Sequence, residues 1–320
     1  MKSKILEIKK IKKIQFKNKR DFCESIITTN SVIYYSTNNK LLNKYILYKY
    51  NFNTKSTHKI FRFPPDTIIL GSKINLNIFV GCVTSDNSII VLNLSNKKMK
   101  KIKLENLGCP NDICFDNTDN NIVWIVSNRN IPGNNGLLLK ININTCSIEN
   151  INLGFSIEAV SGINIVDDYI YMACLTKVYE INKSNYLINK VIMQDEVNKI
   201  FYDNISIYKN TLNIAIFNYS NYIEYLIITN KILLYVSTLL ALMILGDVTI
   251  LNKVNINRKM STSIIKFAKY DLETKKTTLY SFDKPIEQFD KTVTQINQIS
   301  SNKYVMVNWK SNNLILVTVK

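Results

Sequence analysis

Residues 111–153 read NDICFDNTDNNIVWIVSNRNIPGNNGLLLKININTCSIENINL, and the rhythm of this stretch decides the fold. Asp112–Asp116 reads as an inner strand, Ile122–Val126 as an apolar strand, and Leu137–Ile141 and Ser147–Leu153 as two more. Short runs rich in apolar residues and bounded by turn residues are what largely buried strands show. Asn117–Asn120 and Asn142–Thr145 separate the runs with residues whose short polar side chains favour tight turns. Comparable units begin near Glu24, Thr67, Gly162, Asn204 and Val293. A four-stranded unit recurring every roughly 40–50 residues is the signature of a propeller blade. Six units make the chain an all-β protein, a six-bladed β-propeller in a single domain spanning residues 1–320. A pair of packed β-sandwiches would account for the strands but not for the repeat.

The sixth unit is one strand short, with only Val293–Ile299, Lys303–Trp309 and Leu314–Val319. The N-terminal stretch around Lys12-Lys-Ile-Gln-Phe-Lys17 is expected to supply the missing strand and close the ring, which removes exposed sheet edges. The fifth unit is interrupted after Leu212–Phe217 and resumes at Ser263–Tyr270. A helical insertion is expected at about 222–250. Its apolar run, Ile232–Leu245, is shorter than the ~20 residues a membrane span needs. Leucine and methionine there favour a helix, acting as a lid, packing on the propeller or touching a membrane peripherally.

The net charge is +17, from 41 Lys and Arg against 24 Asp and Glu. Lysines run along the whole chain together with abundant Asn and Ile, the pattern of a compositional bias rather than of a nucleic-acid site; no nucleic-acid partner is expected. The dense block from Lys2 to Lys19 reads as a solvated basic arm with some attraction for anionic membranes. Six cysteines include no Cys-x-x-Cys pair, and His58 is the single histidine, which argues against zinc. No apolar segment follows the N-terminal charges as in a secretory signal. A cytoplasmic, possibly membrane-associated monomer is the expectation.

Several stretches, one to a blade, resemble the calcium-dependent six-bladed propellers: strictosidine synthase-like proteins, paraoxonase-type lactonases and gluconolactonase/senescence-marker proteins. They are Cys23-Glu-Ser-Ile26, Pro110-Asn-Asp-Ile113, Ser161-Gly-Ile-Asn-Ile165 with Asp168–Tyr171, Asp203-Asn-Ile-Ser206 and Val293-Thr-Gln-Ile296 with Lys303–Trp309. The resemblance covers nearly the full length. It implies one Ca²⁺ in the central channel, held by Glu24, Asn111, Asp203 and Asn204. Ser161 stands where the family has Asn, so that contact is weak or passes through a water. Asp112 matches the position that holds a second, structural ion in paraoxonases.

Hard cations take oxygen ligands of this kind. A channel ion can polarise a lactone or ester carbonyl, so the resemblance implies a hydrolase acting on such a small molecule. Attack by water needs a general base. Paraoxonases use histidine near the second blade; here Phe63-Pro-Pro-Asp66 offers Asp66, with Asp112 as the other candidate, and His58 reads as a surface residue. Thr294 replaces the glutamate of strictosidine-type condensation, which argues against that reaction. The alternative is a non-catalytic propeller that binds a protein or lipid partner and keeps a structural or vestigial metal site.

Overall fold

In a computed structural model the described residues are 2–16, 21–23, 25–29, 31–39, 43–128, 136–194, 200–218, 266–286, 293–307 and 312–320. They form six sheets and no helix. Blade 1 is β3 (Ile26–Thr28), β4 (Val32–Asn39), β5 (Lys44–Asn51) and β6 (Thr57–Arg62). Blade 2 is β7 (Ile69–Asn75), β8 (Ile78–Val83), β9 (Ser88–Asn93) and β10 (Met99–Lys103). Blade 3 is β11 (Cys109–Phe115), β12 (Ile122–Asn128), β13 (Gly136–Asn142) and β14 (Ile148–Ile151). Blade 4 is β15 (Val160–Val166), β16 (Tyr169–Cys174), β17 (Lys177–Asn182) and β18 (Ile188–Gln194). Blade 5 is β19 (Ile200–Tyr208), β20 (Thr211–Asn218), β21 (Lys266–Asp271) and β22 (Lys276–Phe282). Blade 6 is β23 (Gln295–Ser300), β24 (Lys303–Val307) and β25 (Asn313–Val319).

The N-terminus completes one blade and extends another. β2 (Ile8–Gln15) pairs antiparallel with β25 as the fourth strand of blade 6. β1 (Lys2–Leu6) lies parallel to β22, a fifth strand on blade 5 that the four-strand repeat does not foreshadow. The basic block is therefore largely strand rather than a solvated arm. The reason is its isoleucines: a register shift between Ile8 and Lys10 lets Ile8 and Ile11 face blade 5 while Ile14 faces blade 1.

Each blade buries both faces, so the core is six clusters, one in every gap between neighbours. Trp124 and Leu138 of blade 3 meet Ile163 and Ile170 of blade 4, for example. The ring closes where Ile14 and Leu314 of blade 6 pack on Ile26 and Tyr35 of blade 1. Burying an isoleucine or valine in these gaps stabilises by about 1.5–3 kcal/mol. The expected insertion at 222–250, with Ile232–Leu245, lies outside the described residues. No helix among the described residues is long and apolar enough to cross a membrane.

Candidate functional site at the axis

The innermost strands of four successive blades share one irregularity. One extra residue bulges out between Ile69 and Ser72 in β7, Pro110 and Asp112 in β11, Val160 and Gly162 in β15, and Tyr202 and Ile205 in β19. In blade 1 the chain also gains one residue between the Phe22–Asn38 bridge and the Ile26–Tyr35 pair. A bulge leaves its extra residue out of the ladder and re-aims its side chain. On an innermost strand the unpaired edge faces the axis. The bulge positions are occupied by Leu70, Asn111, Ser161 and Asp203, each half-buried. Three of the residues singled out in the sequence thus stand at one level on three consecutive blades.

Residues at this level tie each blade to the next one. Ser25 accepts the Ser72 amide at 3.1 Å. Asp112 Oδ2 accepts the Ile163 amide at 3.0 Å. Asn204 donates from Nδ2 to the Thr294 carbonyl at 3.0 Å. Gln295 clasps Ile26, accepting its amide at 2.8 Å and donating to its carbonyl at 3.0 Å. The two remaining positions are glycines. A Cβ on Gly71 would sit 2.5 Å from Asn111 O and 2.6 Å from Asp112 Oδ1; one on Gly162 would sit 2.8 Å from Asn204 Cα. Blades 2 and 4 therefore meet their successors backbone to backbone. Asp112 leans into the space that Gly71 leaves and accepts amides from both Ile163 and its own neighbour Ile113.

Two asparagines reinforce the level from outside. Asn38, at the end of β4, brackets Ile69 with bonds of 3.1 and 3.0 Å, and Asn128, at the end of β12, does the same to Val160 at 2.8 and 3.0 Å. Each pins the residue at which a bulge begins.

Burial pushes the Asp112 carboxyl above its ordinary range, against the pull of Lys73 and the two amides. Burial likewise raises the Cys82 and Cys114 thiols, which keeps them protonated. Asp203 Oδ1 accepts the Asn204 amide at 2.9 Å. Because Asn204 Nδ2 is committed to Thr294, its amide oxygen is the atom left for a ligand.

The other sequence candidates lie elsewhere. Asp66 is an exposed turn residue with φ +58°, between β6 and β7; its amide bonds to Asn43 Oδ1 at 3.1 Å and its carbonyl accepts the Ser85 hydroxyl. It stands apart from Asp112, which is 1% exposed and bound within the wall between blades. His58 is exposed on the outermost strand of blade 1, beside Ser56. Thr294 bonds through its hydroxyl to the Val307 carbonyl at 3.1 Å. Glu24 lies outside the described residues. Ser25, Gln295, Gly71 and Gly162 went unassigned in the sequence; stacking the six units on their blade-opening segments would have revealed them.

A donor set of Asn111, Ser161, Asp203 and Asn204 fits a hard cation better than a transition metal, since all four offer oxygen. Among the described residues no group of three His, Cys, Asp or Glu could hold a metal; Asp203 is the carboxylate at this level and the rest are neutral oxygens.

The sequence matches no protein-family profile and no curated protein. Solved structures do match. A catalytically inactive variant of virginiamycin B lyase from Staphylococcus aureus, crystallised with quinupristin, is 10% identical with a TM-score of 0.56, over 97% of this chain and 99% of that one. A streptogramin B lyase is 10% identical with a TM-score of 0.55, over 97% and 98%. A chain of the nidogen/laminin complex is 10% identical with a TM-score of 0.57, over 90% and 89%. The likeness is one of fold. Propellers of this shape include both a lyase and a component of a protein–protein complex, so the architecture alone assigns neither chemistry.

Proposed function

We propose that this propeller binds a hard cation such as Ca²⁺ at its axis and uses it to hold a small carbonyl-bearing or anionic ligand in the channel mouth. The observation that carries the reading is the shared bulge, which brings Asn111, Ser161 and Asp203 to one level with Asn204 beside them. Glu24, in the corresponding segment of blade 1, would add a second carboxylate. Asp112 is assigned to the wall rather than to a second ion, because its oxygens already accept two backbone amides.

Bound Ca²⁺ would supply charge to polarise a carbonyl oxygen. The chain's own residues would set the rest: the ties of Gln295 and Asn204 hold the level, and Ser161, shorter than an amide, leaves room for a water or a ligand atom. Calorimetric titration of Ca²⁺ into protein stripped with a chelator tests the reading. One ion per chain, a chelator-sensitive melt and clear weakening in Asp203→Asn are expected; no binding heat together with a melt indifferent to chelator would sink it.

Hydrolysis of a lactone or ester is a second reading, favoured by the same oxygen cluster. It requires a base, and of the two candidates Asp66 sits on an exposed turn while Asp112 is engaged in the wall. A panel of aryl esters and lactones decides it: chelator-sensitive turnover lost in Asp203→Asn supports it, and an inert panel on calcium-loaded protein leaves the binding role.

A further inference from the structure

The charge that is spread evenly along the sequence is not spread evenly in space. Blade 3 carries Lys140 against Asp112, Asp116, Asp119 and Glu149 among its described residues. Blade 4 carries Lys177, Lys183 and Lys190 against Glu158, Asp167, Asp168 and Glu180. Among the described residues the positive excess therefore belongs to the other four blades. It is concentrated on their outermost strands: Lys4 on β1, Lys9, Lys10, Lys12 and Lys13 on β2, Lys59 and Arg62 on β6, and Lys100, Lys101 and Lys103 on β10. None of these four strands contains an Asp or Glu. The outer strand of blade 3, by contrast, is Ile148–Ile151 with Glu149.

Some of this charge is already engaged. Lys12 donates to the Tyr50 hydroxyl and Lys101 pairs with Asp86 at 2.6 Å. Lys9, Lys10, Lys59, Arg62 and Lys103 are exposed. The rim also acts on Asp86 beside it. Against the opposing effect of burial, bonds from Lys101 and Ser88 and the field of Lys101 and Lys103 hold the Asp86 carboxyl below its ordinary range.

We propose that the outer rim running from blade 5 through blades 6 and 1 to blade 2 is a docking surface for a flexible chain of phosphate esters, of which single-stranded nucleic acid is the natural form. The shape of the rim selects the partner. Neighbouring blades of a six-bladed ring are turned about 60° from one another, so the lysines lie on a convex arc. A flat anionic bilayer meets such an arc at one or two blades. A flexible polyanion can follow it and release counterions along its length. Lysine dominates over arginine here, and its compact charge suits phosphate contacts without base reading. The surface is separate from the axial site and does not depend on it.

The test is fluorescence anisotropy of a labelled oligothymidylate with the full chain in chelator, which removes any contribution from an axial ion. Binding at low ionic strength is expected, weakening as salt rises. Lys9→Glu with Lys10→Glu should weaken it at least tenfold and lower the logarithmic salt slope by about 0.7 for each phosphate no longer neutralised. The same reversal at Lys177 and Lys190 on blade 4 should leave affinity within about twofold, circular dichroism melts showing that both variants fold. Inorganic polyphosphate should compete, since the contacts are to phosphate alone; its failure to do so would overturn the phosphate reading. The proposal is overturned if the oligonucleotide does not bind at low salt, if the blade 4 reversal weakens it equally, if anionic vesicles bind and the oligonucleotide does not, or if salt-sensitive self-association accounts for the signal.

Discussion

The Asp112 carboxylate accepts the backbone amide of Ile163 at 3.0 Å, joining the residue just after the bulge of blade 3 to the second residue after the bulge of blade 4. That bond ranks the residues of the axis. The residues just after the bulge hold the ring together, and the polar ones at the bulge are those proposed to meet a cation.

Asp112→Ala should destabilise the fold by about 1–3 kcal/mol, because it strands the buried Ile163 amide without its acceptor. Asp112→Asn gives a sharper result. Burial raises the folded pKa of Asp112 above its unfolded value, so its titration favours the fold at low pH, and that contribution is lost as pH rises through the folded pKa. The stability of the parent relative to Asp112→Asn should therefore fall from acid toward neutral pH. Urea titrations across that range measure it; a difference independent of pH would refute the assignment.

Asp116 has the opposite sign. Burial alone would push it up, but bonds from the Thr118 hydroxyl and amide and the Trp124 indole, with the Lys183 charge, outweigh that and hold it at about 2. Its contribution is present above the unfolded value and lost as pH falls toward about 2. Asp116→Asn should lower stability at pH 7 by about 1–3 kcal/mol and flatten the acid limb of the melting profile.

Gly71→Ala and Gly162→Ala should each cost about 1–3 kcal/mol by overpacking. Gly71 should be the worse, since its Cβ would meet the backbone of Asn111 and Asp112 at 2.5 Å against 2.8 Å at Gly162. Both substitutions press on a bulge, so calcium affinity measured by calorimetry should fall with stability rather than independently of it.

Removing residues 2–15 should open the ring. It strips the fourth strand from blade 6 and exposes the partners of Ile8 and Ile14 in two separate blade gaps. Ile8→Ala and Ile14→Ala alone should each cost about 2–5 kcal/mol. Deleting only residues 2–6 should cost much less, because β1 is an added outer strand with Ile5 74% exposed. Thermal melts of the variants order these effects.

Much of this was legible in the chain. Strand periodicity and the recurrence of units like 111–153 determined an all-β, six-bladed propeller, because side-chain alternation is a local property of a strand. The Asn111 and Asp203 tetrads were also visible as blade-opening residues. Their division of labour was not. Asn111 and Asp112 are adjacent and chemically alike as oxygen donors, yet one sits at a bulge and the other accepts an amide from the neighbouring blade. A register shift and a glycine in another blade decide that, and neither leaves a mark within the tetrad itself. The parallel placement of Lys2–Leu6 on blade 5 and the gathering of lysines on one arc of the rim have the same origin. Both depend on which outer strands become neighbours in space, and that is set by ring closure, not by distance along the chain.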